Sequence, residues 1–143
     1  MFGNDRDRMR RFYVETWRKA QAGEPLEPME RVVADVIADH PEYQALLAPG
    51  NEAVLGRDYQ PEDGQTNPFL HMGMHIALRE QEATDRPPGI ADLIQRLKAK
   101  TGDHLEAEHR LMEALGETLW EAQRDGAQPD EGAYLERVRR MVG

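Results

Sequence analysis

Apolar residues return every three or four positions along most of the chain, which is the spacing of one face of an α-helix. The first two such segments have their apolar positions at Met9, Tyr13, Trp17 and Ala20, and at Met29, Val32, Val33, Val36 and Ile37. Asn4 or Asp5 is the predicted cap of the first helix, and Gly23 ends it. The His40-Pro41 step interrupts the second helix, because proline disfavours a helical residue before it. A short helix is predicted over residues 41–47.

Residues 51–65 contain Gly, Pro, Asp and Asn with little periodicity, which predicts one long connection. Thr66-Asn67-Pro68 then supplies a cap and a first-turn proline for a helix that ends near residues 86–89. Three more apolar sets follow at helical spacing: Ile90, Leu93, Ile94 and Leu97; Leu105, Leu111, Met112, Leu115, Leu119 and Ala122; and Tyr134, Leu135, Val138 and Met141. Asp103 and Glu106 have the spacing of a capping box at the start of the longest helix.

No segment alternates apolar and polar residues with β-branched enrichment, and the sequence has no internal repeat. The length of 143 residues suits one domain with a continuous core. The sequence therefore predicts an all-α protein, a compact helical bundle of five to six helices with one long loop, in a single domain over residues 1–143.

Charge and composition exclude several classes of function. The net charge is −9 and acidic residues are spread along the chain, which argues against nucleic-acid binding because phosphates would be repelled. No apolar stretch has the length of a membrane span or of a secretory signal, so we expect a cytoplasmic protein without a membrane partner. The chain has no cysteine, so any metal must be held by imidazole and carboxylate.

Two histidines lie on the inward face of the helix that opens at Pro68. Each residue of a helix advances about 100° around the axis, so the direction of each side chain follows from the apolar positions. Gly73 is predicted to point outward, and His71 and His75 lie at the centre of the opposite face. A separation of four residues places them one turn apart, where both imidazoles can reach one ion. The alternative is that both are partly buried residues hydrogen-bonded to carbonyl or carboxylate groups.

Glu108 projects from the middle of the apolar face of the longest helix, and His109 lies at the edge of that face. An unpaired carboxylate in a core costs several kcal/mol, so Glu108 must be protonated, paired with a cation or bound to a metal. The alternative to coordination is an ion pair with Arg79 or Arg110. His71, His75, Glu108 and His109 are therefore the candidate metal ligands, and we predict that the histidines among them converge on one site.

Three phrases, HPEYQALL, GQTNPFLHMGMHIALREQEATDRPPGI and EAEHRLMEALGETLWEAQR, resemble a bacterial family known as domain of unknown function 1841. The resemblance covers nearly the whole chain and implies no activity. In this sequence HPEYQ stands where the family form is HPEYH, with Gln44 in the last position. A looser resemblance is to hemerythrin-like and DinB-like four-helix bundles, which carry His-x-x-x-His and His-x-x-x-Glu pairs on facing helices.

Two hypotheses of function remain open. The first is a metal-binding bundle whose cofactor is a divalent transition metal, Fe, Mn, Zn or Ni. An open coordination position would permit chemistry on metal-bound water or dioxygen, but no substrate is indicated and enzymatic activity is undecided. The second is a non-catalytic interaction or dimerisation module, a homodimer for example, supported by its large apolar residues: Phe12, Trp17, Phe69, Trp120 and several methionines. A nucleophilic hydrolase is a weaker third hypothesis, because no Gly-x-Ser-x-Gly phrase is present.

Overall fold

A computed structural model describes the backbone of residues 2–48 and 67–143, with side chains described from residue 7 onward. Seven α-helices lie in these ranges. They are α1 (Phe2–Gln21), α2 (Pro28–Ala38), α3 (Pro41–Gln44), α4 (Pro68–Thr84), α5 (Ile90–Thr101), α6 (His104–Asp125) and α7 (Glu131–Val142), and a 3-10 turn, Ala45–Leu47, follows α3. The described ranges contain no strand, which confirms the predicted all-α class. The predicted connection over residues 51–65 lies outside the described residues.

The chain groups into two compact units, an N-terminal unit (Met1–Ile76) and a C-terminal unit (Ala77–Gly143). The boundary falls inside α4, so this helix contributes residues to both units. The single domain expected from chain length stays a prediction. No helix of the described residues is long and apolar enough to cross a membrane.

The core of the N-terminal unit is formed by the apolar faces that the periodicity predicts. Its buried members are Tyr13, Val33, Val36, Ile37, Leu47, Phe69 and Met72. The rings of Tyr13 and Phe69 stack with centroids 5.7 Å apart. Gly73, predicted to point outward, instead faces α1, because a Cβ atom at this position would lie 3.8 Å from the Tyr13 hydroxyl oxygen.

Polar groups fix where the helices of the N-terminal unit begin. Helix α1 starts at Phe2, so Asn4 and Asp5 lie inside it, and the prediction that one of them caps it is wrong. At the start of α2 the Glu30 carboxylate accepts a hydrogen bond of 2.8 Å from the Glu27 amide and pairs with Lys19 at 2.9 Å. The Glu27 amide and then the Lys19 ammonium lower the pKa of Glu30.

The C-terminal unit packs α5, α6 and α7 around a core that includes Leu97, Leu111 and Val138. Gly102 ends α5 with φ of 73°, in the left-handed region where glycine has no Cβ penalty. The Asp103 carboxylate then accepts from the Leu105 amide at 2.9 Å and caps α6, as predicted. Glu106, the second residue of the predicted capping box, forms an ion pair with Arg110 at 3.1 Å.

Candidate metal centre

His71 and His75 lie on α4 one helical turn apart, and their Nε2 atoms are 3.2 Å from each other. The Asn67 side chain fixes the start of this helix by accepting hydrogen bonds from the amides of Phe69 at 3.0 Å and Leu70 at 3.3 Å. His75 has no exposed surface, while His71 is partly exposed. The inward direction predicted for His75 is therefore confirmed, and its ring meets that of His71 edge to face at 76°.

A residue that the sequence analysis did not select, His40, joins this pair. Its Nε2 atom lies 3.1 Å from the Nε2 atom of His75, and its side chain is 3% exposed. Nδ1 of His40 lies 2.7 Å from the Val36 carbonyl oxygen, which can only accept, so Nδ1 carries the ring proton. In the neutral imidazole, Nε2 of His40 therefore presents its lone pair toward His75.

The local sequence explains why His40 has this position. Pro41 begins α3 and places His40 between two helices, with φ of −126° and ψ of 71°. Its Nδ1 bond to Val36, one turn earlier in α2, then fixes the ring on that helix. Gln44 ties the same helix end to α3, because its side-chain amide donates to the Ile37 carbonyl at 3.2 Å.

Hydrogen bonds between the three imidazoles cannot explain both of the short distances between their nitrogen atoms. An imidazole nitrogen has one position in the ring plane for either a proton or a lone pair, and hydrogen bonds prefer near-linear geometry. Nε2 of His75 nevertheless lies 3.1 Å from that of His40 and 3.2 Å from that of His71. Nε2 of His75 can form a near-linear hydrogen bond with only one of these two nitrogens. A cation between the three nitrogens could instead accept a lone pair from each of them.

The spacing also fits the geometry of a metal site. One nitrogen from each of His40, His71 and His75 lies within 4.8 Å of the others. Two imidazole ligands at about 2.0–2.1 Å from a tetrahedral ion are separated by about 3.4 Å. Small movements of the side chains would therefore bring the three nitrogens onto one ion.

Tyr43 forms an aromatic wall beside the histidines. Its ring is stacked on His40, with centroids 5.7 Å apart and planes 8° from parallel, and it meets His71 edge-on at 6.1 Å. Burial, followed by the charge of Glu42, raises the pKa of the Tyr43 phenol, so the ring stays neutral near pH 7. Tyr43 therefore restricts the orientations of two candidate ligands without adding charge.

The family model described as domain of unknown function (DUF1841) matches residues 5–140. The chain belongs to the DUF1841 family. No curated protein and no solved structure matches the chain. The resemblance inferred from the sequence phrases is thus confirmed, and two of these phrases carry the histidines described above, HPEYQALL with His40 and NPFLHMGMH with His71 and His75.

In this DUF1841 chain Glu108 is buried, as predicted, with its side chain 2% exposed. Both carboxylate oxygens accept from Arg79: Oε2 from Nε at 3.0 Å and Oε1 from an Nη atom at 3.2 Å. The arrangement is the two-pronged pairing typical of arginine with a carboxylate. The structure therefore gives Glu108 the ion pair that the sequence analysis held as the alternative to coordination, with Arg79 rather than Arg110.

His109 lies on α6 in the C-terminal unit and is exposed. Its assignment as a metal ligand stays a prediction from the sequence. His104, in the first turn of the same helix, is also exposed.

The sequence analysis did not select His40, because the His40-Pro41 step was already explained as the interruption of a helix. The periodicity of one helix gives the direction of its side chains, but a residue between two helices has no direction that periodicity can assign. A signal that points to His40 is that HPEYQALL, like the other two phrases of the family resemblance, contains a histidine.

The large apolar residues proposed for an interaction surface divide into two groups. Phe69 is buried and Trp17 packs against the core of the N-terminal unit. Phe12 is 38% exposed and Trp120 is 59% exposed. The exposed large apolar side chains of the described residues are Met9, Phe12, Met29, Leu70, Leu119 and Trp120. Leu119 belonged to the predicted apolar face of its helix, so that face is only partly covered.

Proposed function

We propose that the protein binds a divalent transition metal ion through the Nε2 atoms of His40, His71 and His75. The observation that supports this proposal is the position of His75 Nε2, which is completely buried and lies 3.1 Å and 3.2 Å from two other imidazole nitrogens. The bond from His40 Nδ1 to the Val36 carbonyl adds the outer-shell contact that usually fixes the tautomer of a ligating histidine.

The donor set narrows the identity of the ion. The sequence analysis allowed Fe, Mn, Zn or Ni with mixed nitrogen and oxygen ligands. Glu108 is paired with Arg79 and is not counted among the donors. The proposed donors are three imidazoles, which bind a metal as neutral ligands. Imidazole suits Zn, Fe, Ni and Cu, whereas Mn²⁺ prefers oxygen. We therefore place Mn²⁺ last, and Zn²⁺ first because three imidazoles on a tetrahedral ion are common for zinc.

Elemental analysis of protein purified without an affinity tag or chelator tests the proposal. We expect about one transition-metal ion per chain, and we expect its loss in His75→Ala. His104→Ala is the matched control, since it removes an exposed histidine of the C-terminal unit and should leave the metal content unchanged. Metal-free protein that also fails to take up Zn²⁺, Fe²⁺, Ni²⁺ or Cu²⁺ on titration would overturn the proposal.

The second candidate function is an interaction module that forms a homodimer. Leu119 and Trp120, adjacent on α6 and 44% and 59% exposed, favour it, because large apolar side chains are enriched at interfaces. Light scattering during gel filtration tests it: a dimer that Trp120→Lys converts to a monomer would support this function. A monomeric natural chain at high concentration would argue against it. The cytoplasmic location stays a prediction, and enzymatic activity stays undecided.

A further inference from the structure

We infer that the ion held by His40, His71 and His75 keeps a coordination position open to a small exogenous donor, water or hydroxide in the resting state and a small monodentate anion in its place. This inference rests on the proposed function, because it concerns the same ion. It adds the class of ligand that the site would take.

The three histidine donors of the site lie close together. Nε2 of His75 lies 3.1 Å and 3.2 Å from the corresponding nitrogens of His40 and His71, close to the edge length of a coordination tetrahedron. Three histidines fill three coordination positions of one ion. A four-coordinate ion would keep one position that these histidines do not fill, and a six-coordinate ion would keep three.

Burial differs between the residues of the cluster. His75 is 0% exposed and His40 is 3% exposed, whereas His71 and Tyr43 are partly exposed. The solvent-exposed part of the cluster therefore belongs to His71 and Tyr43. A small solute would approach the ion past these two residues, because His40 and His75 are buried.

The charge of the ion would also favour an anionic ligand. Neutral imidazoles do not offset the charge of a divalent ion, so the full positive charge remains for the next ligand. Such an ion attracts anions and lowers the pKa of a bound water toward neutrality. Azide is a suitable probe, because it is a small anion with one donor atom for the ion and is silent in the visible range.

A competing ligand is a protein side chain. The sequence predicts His109 as a ligand, and a fourth protein donor would close a four-coordinate site. The experiment therefore needs the natural chain and His109→Ala side by side, with His104→Ala as the matched control on the same helix. His109 and His104 are both exposed, so neither substitution removes core packing.

The test uses the full chain loaded with Co²⁺, whose visible bands report coordination number and ligand exchange, and titrates it with azide. In the natural chain, His109→Ala and His104→Ala, we expect a band shift that saturates at one azide per cobalt and reverses on dialysis. A shift confined to His109→Ala would overturn the inference, because His109 would then fill the position. Cobalt bound without any azide shift would overturn it as well. If cobalt does not bind at all, the proposed function fails first, which separates the two failures.

Discussion

The Nε2 atoms of His40 and His75 lie 3.1 Å apart, although 35 positions separate the two residues in the chain. His40 follows α2 and His75 lies on α4, so an ion between them would link helices that are distant in sequence. An ion that binds only the folded chain stabilises the fold, by about 2.7 kcal/mol when the concentration of free ion is a hundredfold above the dissociation constant.

Replacing His40 tests the residue that the sequence analysis missed. We expect His40→Ala to lose most of the bound metal, and to lose the increase in melting temperature that added Zn²⁺ gives the natural chain. The substitution also removes the bond to the Val36 carbonyl, so its melting temperature should fall even without metal. The zinc-dependent difference within each variant is therefore the quantity to compare, with His104→Ala as control. A full zinc effect in His40→Ala would exclude His40 from the site.

Tyr43 should act on metal affinity through the orientation of His40. Loss of an outer contact to a ligating histidine typically weakens metal binding by about 10-fold or more. We expect this loss in Tyr43→Ala, where the stacked ring is removed, and near-natural affinity in Tyr43→Phe, where the ring is kept. Competition with a chromophoric chelator measures both. Equal affinities in the two variants would show that the stacking does not position the ligand.

Removing only the Arg79 side of its ion pair with Glu108 should destabilise the protein more than replacing both residues with apolar ones. Arg79→Met leaves a buried carboxylate without its cation, which should lower the free energy of unfolding by about 3–5 kcal/mol. The double variant Arg79→Met, Glu108→Leu replaces both charges with apolar groups and should recover most of that loss. Urea unfolding measures the stabilities, and elemental analysis should find the metal content of the double variant unchanged. A loss of metal in Glu108→Leu alone would return Glu108 to the ligand set.

Tyr134 should make the protein less stable at high pH. Burial raises the pKa of this phenol from 10.0 to about 12, and the hydroxyl donates to Gln81 at 2.7 Å. Between these two values the folded chain retains a proton that the unfolded chain releases. The free energy of unfolding therefore falls as the pH rises from about 10 to about 12.

The comparison of Tyr134→Phe with the natural chain isolates this effect, because all other groups titrate in both. The variant lacks the bond to Gln81 and should be less stable near neutral pH, but the difference should shrink above about pH 10. Urea unfolding at several pH values measures it. A difference that stays constant with pH would show that the phenol ionises normally in the folded protein.

Most of what could be predicted from the sequence follows from helical periodicity. A continuous helix fixes each side chain relative to the apolar face, so the inward directions of His75 and Glu108 were predictable from spacing alone. Local chemistry similarly located the Asp103 cap. The start of α1 was not predictable in this way, because Asn4 and Asp5 suit a cap and a first turn almost equally.

The sequence by itself determined the helical class, the burial of Glu108 and the pairing of His71 with His75, since each depends on residues within one helix. Only the tertiary structure decided which residues meet from different parts of the chain. Arg79 and Arg110 were both candidate partners of Glu108 in the sequence analysis, but the packing gives Glu108 to Arg79 and leaves Arg110 with Glu106. His40 reaches His75 for the same reason: the packing of α2 and α3 against α4 sets that distance, and no periodicity encodes it.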